Sequence, residues 1–289
     1  METRWLYTTS ENFHALREAS NDTCIIPMGC VEKHGLHLPL GTDIIAAGTL
    51  AYAASQIETV CVFPDFIFGD VPDNSPNAPA GTVTLSLETE MLLLEELCEQ
   101  IARHGYKKIL VLNGHGGNSH WLAAFSRKLA TKKRSFVFAV TELDLFAPHD
   151  MAEAILKEGP EVFPELTKED IDLLLKYHEE RLVVGHACLS ETSLVMAVAP
   201  DSVHLDRLGI ESGLSLHKAD YLAKAGIHIK DNGWGVNYPN AYTGGDHECN
   251  ERIAKATFRF SAEKFAERFK VFKEDTNVLE WLEEAQKGW

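Results

Sequence analysis

Short hydrophobic runs alternate with longer amphipathic stretches along the first half of the chain. The apolar runs that predict buried strands lie at 23–26, 60–63, 108–112 and 136–140. The stretches between them that predict helices lie at 44–57, 88–104 and 119–132. Alternation of strand and helix indicates a mostly parallel central sheet with helices on both faces. We therefore predict an α/β fold, a three-layer α/β/α sandwich.

The second half of the chain is less regular. Residues 146–181 are charged and helical, and Thr167 with Asp170 predicts a capping box there. Three roles stay open for this segment: a lid, a subunit contact or a decorated crossover. Two Gly- and Asn-rich stretches, at 68–86 and 231–245, predict long loops. No internal repeat or domain boundary is evident, so we predict one domain over 1–289 with a C-terminal extension at about 272–289.

Composition limits the classes of partner. The formal net charge of -16 argues against nucleic acid or an anionic membrane as the main partner, because both bind basic patches. No apolar run reaches the length of a membrane span, and the first residues lack the layout of a signal peptide. The 6 cysteines include no Cys-x-x-Cys pair, and several lie in apolar segments. These features predict reduced thiols and a cytoplasmic location.

Potential metal ligands are concentrated between residues 27 and 43, whose sequence is PMGCVEKHGLHLPLGTD. Glu32 and His34 are two positions apart, so they point to the same side of an extended backbone. Asp43 lies where the following helix should begin. This stretch is either one edge of a metal site or a surface turn followed by an N-cap aspartate.

Two later segments carry further candidates. The sequence NGHGGN at 113–118 follows the third predicted strand, and Glu191 precedes an apolar helix. Asn113 and Asn118 are predicted to be turn and N-cap residues. Sites in parallel sheets form beyond the carboxyl ends of strands. Burying these like charges together without opposite charge would cost several kcal/mol, and divalent cations remove that cost. The mixed oxygen and nitrogen donors suit zinc or manganese. The candidates are Glu32, His34, Asp43, His115 and Glu191.

The same residues carry a family resemblance. The segments 32–43, 113–118 and 191–193 resemble the three signature blocks of the creatininase (creatinine amidohydrolase) family. Weaker similarity is present at 79–82 and 235–245. The resemblance implies a three-layer α/β/α fold, a two-metal centre, hydrolysis of a C–N bond in a small linear or cyclic amide, and a homohexamer.

Carried over by position, the resemblance implies a role for each residue. Asp43 would bridge both metals, which would be zinc or manganese, with iron as a further alternative. Glu32 and His115 would complete one coordination sphere. His34 and Glu191 would complete the other. Two metals about 3.5–4 Å apart could polarise an amide carbonyl and turn a bridging water into hydroxide. His186 would donate a proton to the leaving nitrogen, so it is counted with Glu191 as catalytic.

Several positions depart from the creatinine-cleaving members. Those members have a glutamate two residues after the histidine of the second block, where this chain has Gly117, so we assign that ligand role to Glu191. Gly185 and Cys188 also differ from the residues expected around His186. No tryptophan between 136 and 191 is present to cover a flat creatinine ring. These departures argue against creatinine itself. Two rival functions are a metallopeptidase that trims a short peptide or cofactor precursor, and a non-catalytic metal-binding assembly protein.

Overall fold

A four-stranded parallel sheet forms the centre of the chain in a computed structural model that describes residues 1–71, 79–182, 184–229, 233–245 and 247–287. The strands are β1 (Thr23–Met28), β2 (Cys61–Val62), β3 (Lys108–Asn113) and β4 (Val137–Glu142). Their order is β2-β1-β3-β4, and Ile25 of β1 pairs with Leu110 of β3. The predicted loops at 68–86 and 231–245 lie partly outside the described residues.

Helices occupy most of the remaining described chain. They are α1 (Phe13–Ala19), α2 (Thr42–Ile57), α3 (Leu87–Arg103), α4 (Asn118–Leu129), α5 (Ala147–Glu158), α6 (Lys168–Glu179), α7 (Leu189–Val198), α8 (Asp220–Lys224), α9 (Gly233–Asn237), α10 (Glu251–Glu274) and α11 (Asn277–Ala285). Short 3-10 turns lie at Trp5–Tyr7, Pro160–Val162, Pro200–Ser202 and Leu205–Arg207. None of the helices in the described ranges has the length and apolarity needed to cross a bilayer.

Strand alternation divides the core into two layers. On one face, Ile26 and Val111 pack with side chains from α1, α3 and α4. On the other face, Ile25 and Leu110 pack with side chains from α2, α7 and α10. Successive strand residues point to opposite faces, so a fully apolar strand is what a sheet covered on both sides requires. The predicted three-layer α/β/α fold is confirmed.

The helical segment between β4 and α7 packs against α10. Met151 of α5, Leu174 of α6 and Ala256 of α10 share a buried cluster. Thr167 caps α6: its hydroxyl accepts from the Asp170 amide, and the Asp170 carboxylate accepts from the Thr167 amide, which is the predicted capping box. One prediction fails in detail, because the stretch at 231–245 contains the short helix α9 rather than loop alone.

The C-terminal helix α11 docks on the chain's own β4 side. The Gln286 side chain accepts from the Arg134 amide at 2.6 Å and donates to the Arg134 carbonyl at 3.0 Å. Leu282 is buried there, while Trp281 remains exposed. The description of 1–289 as one domain with a C-terminal extension stays a prediction.

A buried lysine joins the sheet to the end of α10. Lys108 lies at the start of β3 with 2% exposure, and its ammonium donates to the carbonyls of Phe272, Lys273 and Asp275 at 3.3, 2.5 and 2.8 Å. Carbonyls at a helix C-terminus have no intrahelical partner and carry partial negative charge. The Lys108 ammonium supplies these carbonyls with hydrogen bonds and with positive charge, and so it fixes α10 against the sheet.

We expect Lys108→Met to lower the free energy of unfolding by about 2–3 kcal/mol, because charged hydrogen bonds to buried carbonyls are lost. Urea unfolding followed by circular dichroism measures the change. Lys107→Met is the matched control, since Lys107 is mostly exposed and contacts only the carboxylate of Asp22, at 3.7 Å, among the ion pairs of the described residues. Equal stability of the two variants would contradict the anchoring role.

Candidate metal centre

The candidate site lies beyond the carboxyl ends of β1 and β3. The chain leaves β1 at Gly29, forms the 30–41 loop and enters α2, whose first turn carries Asp43. Gly29 is required there, since a Cβ would lie 2.7 Å from the Ile44 amide nitrogen. β3 leads directly to His115, and the first turn of α7 supplies Glu191. The structure therefore brings together all five predicted ligands, and all are buried.

Asp43 lies inside the first turn of α2 and is not its N-cap. The helix begins at Thr42, Gly41 occupies the cap position, and the Asp43 side chain is 2% exposed. The alternative of a surface turn with an N-cap aspartate is therefore wrong. A carboxylate at this depth needs positively charged or hydrogen-bonding neighbours.

One cluster forms around the Oδ2 atom of Asp43. His115 Nδ1 lies 3.1 Å from this oxygen and 2.8 Å from Glu32 Oε1. The Cys30 thiol donates to the same Asp43 oxygen at 3.2 Å. Ligand atoms of Cys30, Glu32, Asp43 and His115 all lie within 4.8 Å of one another, a spacing that suits a single cation.

A second cluster forms around the other oxygen of Asp43. His34 Nε2 lies 2.9 Å from Asp43 Oδ1 and 3.7 Å from Glu191 Oε2. The Glu191 carboxylate also accepts from the Ala187 amide at 2.5 Å. Thus the two oxygens of one carboxylate face two groups of potential ligands.

Backbone carbonyls assign the tautomers of the histidines. His115 Nε2 lies 2.8 Å from the Asp70 carbonyl and His34 Nδ1 lies 3.3 Å from the Glu32 carbonyl. A carbonyl only accepts, so each of these ring nitrogens carries the hydrogen. The opposite ring nitrogens are left to face the carboxylates, as in histidines that bind metals.

Asn118 secures the loop that supplies the Asp70 carbonyl. Its Oδ1 accepts from the Asp70 amide at 3.0 Å and from Trp121 Nε1 at 3.0 Å, and its amide donates to Asn113 at 3.1 Å. The prediction that Asn118 is an N-cap is wrong, because Gly117 holds that position and Asn118 begins the helix. Its side chain is used to orient the loop beside His115.

The pKa shifts in the two clusters show that their buried carboxylates need positive charge nearby. Burial opposes charge on His34, yet the carboxylates of Asp43, Glu191 and Glu32 raise its pKa to about 10. Burial acts against ionisation of Glu32, while His186 and His115 lower its pKa to about 2. Burial raises the pKa of Glu191 to about 7. Among the described residues, Glu32 Oε1 has no hydrogen-bond partner. Bound protons offset the buried negative charge here, and cations would do the same.

His186 lies against the second cluster. Its ring stacks on His34 with centroids 3.9 Å apart, and its Nε2 donates to the Lys33 carbonyl at 2.7 Å. The remaining nitrogen, Nδ1, is 3.7 Å from Glu32 Oε1. Trp234 of α9 meets the His186 ring edge-on at 5.2 Å. His186 therefore sits between the cluster and an aromatic side chain that is 47% exposed.

Gly117 cannot be replaced simply by the glutamate of creatinine-cleaving members. A Cβ at this position would lie 2.4 Å from the Asp70 carbonyl oxygen and 2.5 Å from His115 Nε2. The loop that orients His115 would have to move to admit any side chain. Glu191 reaches the cluster from α7 without that conflict.

Two neighbours of the site were missed from sequence. Cys30 stands two positions before Glu32, and the same alternation that pairs Glu32 with His34 could have identified it. Trp234 gave no usable signal, because its contact with His186 joins segments nearly fifty residues apart.

An α/β sheet with carboxylates and imidazoles gathered at its carboxyl edge is the arrangement of a metal-dependent hydrolase. The family model described as Creatininase: Creatinine amidohydrolase matches residues 7–269. The chain belongs to the creatininase family and is a metal-dependent amidohydrolase, which confirms the predicted family and enzyme class.

Relatives of known name differ in what they act on. The creatinine amidohydrolase of Pseudomonas putida is 23% identical over 205 residues, which cover 69% of this chain and 73% of that protein. The mycofactocin precursor peptide peptidase of Mycolicibacterium smegmatis is 29% identical over 146 residues, which cover 47% of this chain and 58% of that protein.

Solved structures agree on the fold. A crystal structure of creatinine amidohydrolase (creatininase) matches with a TM-score of 0.68 at 18% identity and covers 95% of this chain and 99% of that one. Two further creatininase structures, titled as a Mn form and a Zn-Zn type, match with TM-scores of 0.65 and 0.66 at 17% identity, and each match covers 95% of this chain and 100% of that one.

We expect Asp43→Asn to lose at least one bound metal per chain, because the amide removes the negative charge shared by both ligand clusters. Metal analysis by mass spectrometry after zinc loading and dialysis measures the loss. The control is Asp65→Asn, which changes an exposed aspartate. Unchanged metal content in Asp43→Asn, with a native circular dichroism spectrum, would contradict its role.

Proposed function

We propose that this enzyme hydrolyses a C–N bond of a small linear or cyclic amide at a centre of two divalent cations. The observation that carries the proposal is the Asp43 carboxylate, whose oxygens lie 2.9 Å from His34 and 3.1 Å from His115. When bound, such a pair of cations polarises an amide carbonyl and makes water nucleophilic near neutral pH.

The donor set fits divalent cations. Glu32, Asp43 and His115 would hold one of them, and His34, Asp43 and Glu191 would hold the other. The fit is supported by Glu32 Oε1, a buried oxygen without a hydrogen-bond partner among the described residues. Oxygen and nitrogen donors suit zinc or manganese, the metals in the titles of the creatininase structures of similar fold.

His186 is proposed to move the proton. Because its Nε2–H is held by the Lys33 carbonyl, its Nδ1 is the atom that takes a proton from the attacking water and returns it to the leaving nitrogen. The turn that carries it is tightly held: Ala187 has a φ of 60°, and the Thr243 amide donates to the His186 carbonyl at 2.9 Å. Because the His186 ring is held in this orientation, only its Nδ1 atom is available for proton transfer.

Trp234 and Tyr238 favour a substrate with a flat face. Their rings lie 5.7 Å apart, and Trp234 stands edge-on to His186, so an aromatic wall borders the proposed proton carrier. Aromatic rings prefer stacked or edge-on partners, which a planar amide or heterocycle supplies. This wall comes from α9 and the residue that follows it, not from the 136–191 segment in which tryptophans are absent.

A metallopeptidase that trims a short peptide is the second candidate. It is supported by a relative named mycofactocin precursor peptide peptidase, which is 29% identical over 47% of this chain, whereas the creatinine amidohydrolase is 23% identical over 69% of it. The single-domain organisation, the homohexamer and the cytoplasmic location stay predictions.

A substrate panel tests the function. Zinc- and manganese-loaded enzyme is incubated with planar cyclic amides, linear aliphatic amides and short peptides, and released amine or acid is quantified by mass spectrometry. We expect turnover of small amides, fastest for planar ones, and none with the metal-free protein. Cleavage of peptides alone would establish the second candidate, and full metal loading without any turnover would favour a non-catalytic protein.

We expect His186→Gln to lower kcat by about 10²–10⁴-fold while both metals are retained, because proton transfer is lost and the ligands are intact. Metal analysis accompanies the kinetics. His149→Gln is the matched control: His149 also lies near a backbone carbonyl, that of Leu182 at 3.1 Å, but it stands outside the clusters. Loss of a metal from His186→Gln would instead make His186 a ligand.

A further inference from the structure

We propose that Cys30 is a ligand of the cation held by Glu32, Asp43 and His115, and that its sulfur makes this position prefer zinc to manganese. The inference rests on the two-cation centre proposed above and assigns a donor that the predicted ligand set does not contain.

Cys30 lies beside the three predicted ligands of this cation. Cys30 is fully buried, and its Sγ lies 3.2 Å from Asp43 Oδ2. With Glu32 and His115 these atoms form a group of four donors within 4.8 Å of one another. Zinc takes four ligands in protein sites that have no open position, and zinc–sulfur bonds are about 2.3 Å long. The group has the number and kind of donors for one zinc ion.

A buried carboxylate oxygen of Glu32 faces the same position. Glu32 is 6% exposed, and its Oε1 has no hydrogen-bond partner among the described residues although His115 Nδ1 is 2.8 Å away. The hydrogen of the His115 ring is committed to the Asp70 carbonyl on the other side. Glu32 Oε1 and His115 Nδ1 therefore lie side by side next to the thiol, as two ligand atoms of one cation would.

The surroundings of Cys30 differ from those of the core thiols. Cys24, Cys61 and Cys98 belong to the apolar cluster under α3 and α4, and Cys249 belongs to another. Cys30 is in none of the apolar clusters of the described residues, and its sulfur points at a carboxylate. A structural thiol would pack among apolar side chains.

A cysteine that binds a metal is a thiolate, so it adds one negative charge to the site. Two divalent cations with the carboxylates of Glu32, Asp43 and Glu191 leave one positive charge in a buried site. On binding, the Cys30 S–H bond breaks, the proton leaves to solvent, and the sulfur lone pair forms the bond to the metal. The thiolate cancels the remaining charge. Thiolates are soft donors that select zinc, whereas manganese prefers oxygen.

X-ray absorption at the zinc edge tests the proposal on the full-length protein loaded with Zn²⁺ alone. The expected spectrum contains a sulfur neighbour at about 2.3 Å beside nitrogen and oxygen at about 2.0–2.1 Å. Cys30→Ser should lose the sulfur neighbour, and Cys249→Ser should keep it, because Cys249 contacts Ser193 at 3.4 Å, away from the clusters. Bound zinc with only nitrogen and oxygen neighbours in the unmodified protein overturns the proposal.

Competition between metals supplies a second readout. In dialysis against mixed Zn²⁺ and Mn²⁺, Cys30→Ser should lower the bound zinc-to-manganese ratio by at least about tenfold, and an unchanged ratio would count against sulfur ligation. Absence of bound zinc in the unmodified protein would overturn the two-cation centre and, with it, this inference. If Cys30→Ser does not fold, the absorption spectrum of the unmodified protein decides alone.

Discussion

The buried carboxylate of Asp43 is the interaction on which the rest of the site depends. It lies between two imidazoles, and each of its oxygens faces a different histidine. That placement requires α2 to begin directly against the end of β1, which is achieved because Gly29 has no side chain to meet the Ile44 amide. The sheet edge and the helix start therefore determine where negative charge is concentrated. His34 and His115, which come from two different loops, both contact this carboxylate.

Fold and chemistry are connected through backbone carbonyls. The carbonyls of Glu32, Lys33 and Asp70 each lie near one imidazole nitrogen of the site, at 3.3, 2.7 and 2.8 Å. Loop geometry, not side-chain chemistry, thus decides which ring nitrogens face the carboxylates. Asn118 contributes indirectly to the orientation of His115, since it holds the loop that carries the Asp70 carbonyl. A rigid parallel sheet can support such loops because its strands end at one edge.

The parallel sheet and the clustering of the five candidate ligands were predictable from sequence, because the strand signals are local and the candidate residues lie in short motifs. Apolar runs define strands, and Glu32 with His34 follows the two-residue repeat of extended chain. The contacts of Asn118 and Trp234 were not predictable. Asn118 is an ordinary helix-start residue by type, and its partner Asp70 lies 48 positions away. Trp234 reaches His186 only through the folding of a loop whose sequence carries no periodic pattern. Cys30 lies two positions before Glu32, so the same two-residue repeat that pairs Glu32 with His34 also indicated Cys30.

Glu191 connects the candidate site to helix α7, whereas a ligand at position 117 would connect it to the loop after β3. A ligand at position 117 would belong to the β3 loop, but Gly117 packs so closely against Asp70 and His115 that a side chain there would require the loop to move. Glu191 instead belongs to α7, whose Leu194 packs in the same apolar cluster as α2 and α10. Its carboxylate is held by the Ala187 amide in the turn that also carries His186. The proposed ligand and the proposed proton carrier are therefore held by the same turn, and we expect a displacement of α7 to alter charge and proton transfer together.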